Sequence, residues 1–278
     1  MKLNLTRNEK LFLSVFGIVY AALIVYVIIS GYEFDLEGVG IRWIYQLPFG
    51  EGPLSRINPM TVFMTWGIMA LIIIVAMSFR RFELLPGKRQ TLMETLLGYM
   101  LELTEDAVPR KRFIKPTFVI ACTLFIFILI ANIITAFPGL NTTVTEDGMK
   151  LTLFQDTWYS PTSDLNTNAT YAVMVLVISH VFAIKAKGFS TWIRSFFQPH
   201  WLMLPMNVIS EIAKPISHSL RLFGNIMGGG LLVLIISYLI KYFVMPPFLW
   251  GFFGLFSGAI QALVFSMLAI AYIGSLLE

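Results

Sequence analysis

Charge is what this chain has little of. Only 13% of its 278 residues are Asp, Glu, Lys or Arg, against about 25% in soluble domains. With 57% of residues hydrophobic, an aqueous fold could not hide the apolar surface, so lipid is the expected solvent. Cysteine occurs once, at Cys122. That excludes an internal disulfide framework, and no cysteine cluster offers a metal site. The histidines His180, His200 and His218 form no H-E-x-x-H pattern, and no G-x-S-x-G is present. Neither a zinc protease nor a serine hydrolase is indicated. A nucleotide-binding loop is missing too, so the residues imply no cofactor and no nucleotide chemistry. Internal repeats of the kind that build inverted-topology transporters are not evident. The basic balance, net +4 with a pI near 9.1, does not argue for nucleic acid. In so apolar a chain, Lys and Arg collect in cytoplasmic loops.

What is present is a series of long apolar runs. A helix needs about 20 apolar residues to cross the hydrocarbon. Leu11 to Ile29, Met60 to Phe79 and Thr117 to Phe137 meet this. Tyr171 to Ile184 is short, and its helix should begin near Asn166. Two longer tracts follow, from about Trp201 to Val244 and from Pro247 to Leu277. Each exceeds one perpendicular span, so these helices are expected to tilt strongly or hug the interface. The first run exceeds the roughly 7–15 residues of a signal peptide and no clear small-x-small site follows, so we read it as a retained helix. Basic clusters at Lys2–Lys10, Arg80–Lys115 and Lys185–Arg194 alternate with loops poor in basic residues. The positive-inside rule then gives an all-α polytopic membrane protein with about six membrane-embedded helices and both termini cytoplasmic.

Between two spans, Leu92, Met93, Leu96, Leu97, Met100 and Leu103 recur at helical spacing, interrupted by Glu94, Glu102 and Glu105. This predicts an amphipathic helix over 90–105 on the cytoplasmic surface, either a connector or a dock for a partner. Asn-x-Thr triplets at Asn4, Asn141 and Asn168 match glycosylation acceptors, but such triplets arise often by chance.

The stretch EIAKPISHSLRLFGNIMGGG, Glu211 to Gly230, carries the chemistry. Glu211, Lys214, His218, Arg221 and Asn225 are spaced 3, 4, 3 and 4 apart. On a helix they share one face. Arg221 lies 20 residues from both Trp201 and Lys241, or roughly 30 Å along a helix in either direction. A mid-membrane arginine costs about 2.5–3.5 kcal/mol on insertion scales, and it stays protonated. It therefore needs a carboxylate, carbonyls or water. No acid occurs between Glu211 and Glu278, so the expected partner is a carboxylate of another chain. A structural arginine bonded to carbonyls is the alternative. His218 could simply bridge helices, and Glu211 with Lys214 could be an ordinary i,i+3 pair. Gly224 and Gly228 form a G-x-x-x-G, read as close helix packing or as a smooth face past which another helix slides. In the last tract Gly251, Gly254, Gly258 and Gln261 are spaced 3, 4 and 3 apart. Gln261 could face Arg221 or a water path, or make an interhelical hydrogen bond. From the residues alone, an ion-translocating bundle leads; an independent transporter and an intramembrane enzyme are the alternatives.

SLRLFGN, Ser219 to Asn225, resembles the signature of subunit a of the F-type ATP synthases, the stator channel beside the rotating c-ring. LPGKRQTLMETLLGYM from Leu85 is similar to the family's cytoplasmic segment after its first core helix. PTSDLN (Pro161 to Asn166) resembles the polar lead-in to a later helix; PMNVISEIAKP (Pro205 to Pro215) and IQALVFSMLAIAYI (Ile260 to Ile273) resemble the last two helices. The likeness covers about Asn58 to Glu278. It implies a channel domain over 58–278, preceded by an extra helix and outer loop over 1–57. It implies that Arg221 is the essential arginine, meeting each c-ring carboxylate and blocking leakage between two offset half-channels. Asn225 and Gln261 match polar residues near it. Glu211 matches an acid of the cytoplasmic half-channel, and Asp164 and Asn166 match a polar cluster on the outer route. With Lys214 and His218 of the stripe, these are the expected ion-pathway residues. The implied setting is a bacterial plasma membrane, with the c-ring, the peripheral stalk subunit b and, indirectly, the F1 sector as partners. Two positions depart from the family pattern. Gly230 stands where many members have Glu, and Gly254 where many have His. The outer route must then use water with Asn225, Gln261 or His218, and the ion is H+ or Na+.

Overall fold

A computed structural model describes residues 14, 44–46, 48, 56–78, 87–145, 148–198, 200–240, 249 and 251–278. The first expected span, apart from Ser14, lies outside them. The helices are α1 (Pro59–Ser78), α2 (Lys88–Ala107), α3 (Lys111–Ile133), α4 (Leu165–Lys187), α5 (Phe189–Ser195), α6 (Leu204–Ile240) and α7 (Gly258–Leu277). A π-turn, Phe252–Ser257, leads into α7. Five segments among the described residues are long and apolar enough to cross a membrane: Pro59–Met77, Lys111–Ala136, Leu165–Lys187, Trp201–Ile236 and Phe252–Leu277.

The helix ends follow local chemistry. At α1, Asn58 Oδ1 accepts the Met60 N–H at 3.0 Å and Pro59 occupies the first helical position, where its missing N–H costs nothing. At α4, the Asp164 side chain accepts the Asn166 N–H at 3.0 Å, an N-cap that also favours the helix dipole. α4 stops at Gly188, whose φ of 85° suits a residue without Cβ. α6 runs for 37 residues, about 55 Å at 1.5 Å per residue. That exceeds the roughly 30 Å hydrocarbon, so α6 must cross obliquely or extend beyond it. Pro215 lies inside α6 and deprives the Glu211 carbonyl of its helical donor.

Two antiparallel pairs occur among the described residues. One is minimal, β1 (Tyr45–Gln46) with β2 (Arg56–Ile57). The other is a hairpin of β3 (Pro138–Thr145) and β4 (Gly148–Thr157), with a register irregularity at Gly139/Leu140. It fills the loop after α3.

α3 and α7 are the packing axis. Ala121 and Ala131 of α3 and Ala262 and Ala269 of α7 are almost completely buried. Lipid supplies no hydrophobic drive between helices, so close approach of small residues carries the contact. Leu124, Phe125 and Ile128 fill the space between, joined by Ile68 of α1, Met100 of α2, Val175 of α4 and Leu222 of α6. α2 is therefore more than a surface connector: Met100 and Thr104 are fully buried, while Leu92 and Tyr99 stay exposed. Outward residues such as Phe63, Trp66, Ile73 and Ile74 on α1, and Leu220, Leu231 and Ile235 on α6, are large, apolar and exposed. This is the surface expected of a chain solvated by lipid.

Candidate functional site

The stripe on α6 straddles the border between its packed and open sides. Glu211 and Lys214 are half-buried, His218 is buried, Arg221 is exposed and Asn225 is half-buried. Each meets a different surrounding.

Glu211 and Lys214 form a contact of 2.5 Å between Oε1 and Nζ. The other carboxylate oxygen faces α4, where His180 Nε2 lies 3.6 Å away. Lys214 Nζ also sits 5.6 Å from the centroid of the Tyr272 ring. His180 was not among the expected site residues. Its isolated position in the sequence gave no signal; α4 and α6 bring it to Glu211.

His218 is 1% exposed. Its Nε2 lies 3.0 Å from the Phe265 carbonyl oxygen, and its ring rests against that of Phe265, centroids 3.6 Å apart. This bridges α6 to α7, one of the two arrangements the sequence left open.

Arg221 points outward. Among the described residues, no carboxylate pairs with it. Gly224 and Gly228 are exposed on the same side, and a Cβ at either would meet nothing within 4 Å. The G-x-x-x-G thus makes no tight seam with the described helices. Gly229 does pack, against the Phe253 ring. Together Arg221, Gly224 and Gly228 form an open strip with a fixed cation at one end.

Asn225 turns inward, and its Oδ1 accepts the Ser257 hydroxyl at 2.7 Å. Ser257 is the last residue of the π-turn. Gln261 follows one turn later, half-buried, with no hydrogen bond to the described residues. Gly230 and Gly254 differ from each other. Gly230 is exposed with open space around it; Gly254 is buried, and a Cβ there would lie 2.8 Å from Ala136 Cβ.

Asp164 and Asn166 sit at the start of α4. Asp164 caps the helix and accepts the Thr61 hydroxyl at 3.4 Å; Thr61 in turn lies 3.1 Å from the Tyr159 hydroxyl. Asn166 is exposed. Beside them is a buried polar chain that the sequence did not disclose. Ser160 Oγ donates to the Ala131 carbonyl at 2.8 Å and contacts Thr162 Oγ1 at 2.6 Å. Thr162 donates to Asn132 Oδ1 at 2.8 Å, and Asn132 donates to the Gly258 carbonyl at 3.1 Å. Asn168, fully buried, donates to the Thr162 carbonyl at 2.7 Å, a position no glycan could occupy. The available signal was that Asn132 interrupts an otherwise apolar span, which is costly without partners.

Comparisons with known proteins give the family. Residues 62–274 match the family described as ATP synthase A chain. The ATP synthase subunit a of Moorella thermoacetica is 33% identical over 230 residues, covering 82% of this chain and 94% of that protein. ATP synthase subunit a 2 of a Bradyrhizobium strain is 31% identical over 230 residues, covering 82% and 92%. A sodium ion specific ATP synthase subunit a from Propionigenium modestum is 34% identical over 216 residues, covering 77% and 72%. With most of its length matched, and with helices that can cross a bilayer repeatedly, the chain belongs to the ATP synthase A chain family as a multi-pass membrane subunit of an ATP synthase.

Proposed function

We propose that this subunit carries H+ or Na+ to and from carboxylates of a c-ring through two offset half-channels, and so couples ion flow to ATP synthesis. The observation that carries the reading is the open strip of α6, where Arg221 stands outward without a described acidic partner beside two bare glycines. A fixed cation favours the ionised form of a passing carboxylate, which then gives up its ion. The same cation repels a free cation moving directly between the half-channels. Asn225, bonded to Ser257 beside α7, and Gln261 supply polar groups to the ion path near Arg221. Glu211 with Lys214 serves the cytoplasmic half-channel. Asp164, Asn166 and the buried Asn132–Thr162–Ser160 chain serve the outer one, with His218 bridging the helices between. Residues 58–278 form the channel domain, and 1–57 add a helix and an outer loop. The subunit sits in a bacterial plasma membrane with both termini cytoplasmic, beside the c-ring and the peripheral stalk subunit b, with the F1 sector supplying the nucleotide chemistry.

Glu211→Gln should slow ATP-driven pumping in membrane vesicles about tenfold or less, since water and Lys214 remain on the path while one charge-assisted contact is lost. Wild-type flux in single-turnover ion-release measurements would remove Glu211 from the channel. The ion is decided by Na+ titration of ATP hydrolysis. Stimulation by Na+, with protection of the c-ring carboxylate from modifying reagents, identifies Na+; indifference to Na+ identifies H+.

A further inference from the structure

His180 lies outside every role assigned so far, yet it is aimed at Glu211. Its Nδ1 is 3.2 Å from the Trp192 indole nitrogen. An indole N–H can only donate, so Nδ1 must be the bare, accepting nitrogen. The proton of the neutral ring is then on Nε2. Nε2 is the atom 3.6 Å from Glu211 Oε2. That oxygen is buried and has no hydrogen-bond partner among the described residues, while Lys214 holds Oε1 at 2.5 Å. The ring itself is fixed, with its centroid 5.6 Å from that of Trp192 and 6.2 Å from that of Phe196. Among the described residues, the charges acting on His180 are those of Glu211 and Lys214.

We propose that His180, oriented by Trp192, is a positioning residue that presents an N–H to the vacant oxygen of Glu211. The inference rests on the channel role of Glu211 given above. A slight turn of the carboxyl group closes the 3.6 Å gap to a hydrogen bond. The carboxylate then has a donor on each oxygen. A proton arriving at Oε2 displaces a donor instead of filling an empty site, so it moves on. His180 keeps Glu211 a transfer station and prevents it from becoming a trap. With Nδ1 engaged by Trp192, the ring cannot accept a second proton without losing that bond, so it positions the acid without relaying the ion itself.

The test uses the intact ATP synthase in membrane vesicles, with ATP-driven pumping measured against the amount of assembled complex. His180→Phe keeps a ring against Trp192 and Phe196 but removes the N–H. It should lower pumping about five- to tenfold, the scale of one ordinary net hydrogen bond. His180→Gln, which restores an N–H donor, should stay within about twofold of the parent. In a Glu211→Gln background, His180→Phe should add less than about twofold, because the two residues act as a unit. Should His180→Phe fail to assemble, His180→Leu is read in its place. Parental pumping by the Phe variant overturns the inference. So does an equal loss in the Gln variant, or a full loss in the Glu211→Gln background. If Glu211→Gln itself pumps like the parent, the wider reading of Glu211 falls. If it slows pumping while His180→Phe does not, only the role of His180 falls.

Discussion

Arg221→Ala should abolish coupled ion transport while the complex still assembles. The two halves of that expectation have separate grounds. Arg221 is exposed on α6 and pairs with no described carboxylate, so truncation removes little that the subunit's own packing needs. The loss falls on the encounter with the c-ring. Two unit charges 4 Å apart at an effective dielectric near 20 attract by about 4 kcal/mol. Converted to rate or occupancy, that is about a thousandfold. No neighbour can substitute. Lys214 is committed to Glu211 at 2.5 Å, and His218 is buried on the Phe265 carbonyl. ATP-driven pumping in vesicles, scored beside the recovery of the subunit in purified complex, measures both halves. Unchanged pumping would sink the proposed function.

The second large effect is structural. Gly254→His should lower the yield of assembled complex about fivefold or more, a loss equivalent to one or two kcal/mol. A Cβ at Gly254 would stand 2.8 Å from Ala136 Cβ and 3.1 Å from both the Cα and the N of that residue. Backbone atoms cannot rotate away, so the added atoms force the 3-10 turn that follows α3, Ile134–Ala136, and the π-turn apart, at a typical cost of about 1–3 kcal/mol. Gly230→Glu is the contrast. Nothing lies within 4 Å of a Cβ there, so that subunit should assemble at the parental level. Quantifying the subunit in detergent-extracted complex compares the two. Equal yields would show that Ala136 yields after all.

The membrane architecture was largely legible from hydropathy. The expected span from Met60 appears as Pro59–Ser78, and the short run from Tyr171 does begin early, at Leu165. Asp164 explains the early start, because its side chain caps the helix and lets the polar residues Asn166, Thr167, Asn168 and Thr170 join it. α3 begins at Lys111, ahead of the expected Thr117. The missing turn holds Lys111, Arg112 and Lys115, which apolarity cannot detect, although long basic side chains suit a helix end near an interface. The hairpin of β3 and β4 occupies a stretch that hydropathy shows only as a loop between spans. Its signal was present in two segments rich in Thr, Val and Leu on either side of the two residues that separate Thr145 from its partner Gly148.

The site was legible along α6 and poorly legible across helices. Spacing placed Glu211, Lys214, His218, Arg221 and Asn225 together, but could not say which faced inward. His218 and Arg221 are three residues apart; one is buried and the other open. The contacts that distinguish them come from α4, α7 and the π-turn, through His180, Phe265 and Ser257. Sequence separations of 31, 47 and 32 residues carry no local periodicity, so a reading along the chain does not reveal them. Gly254, on the small-residue face of the last tract, packs against Ala136, a contact that spacing alone does not identify.

The π-turn before α7 also bears on how this chain is compared with relatives of other lengths. Its bonds reach one residue farther than those of an α-helix, so Phe252–Ser257 holds a local surplus of one residue. A single-residue deletion there would restore ordinary winding and leave the flanking faces where they are. The same deletion within α7 would rotate all that follows by about 100°, carrying Ala269 and Ile273 out of the interior they now fill. Evolutionary gains and losses of one residue in this region therefore belong at the π-turn, and an alignment gap placed elsewhere would pair residues from different faces.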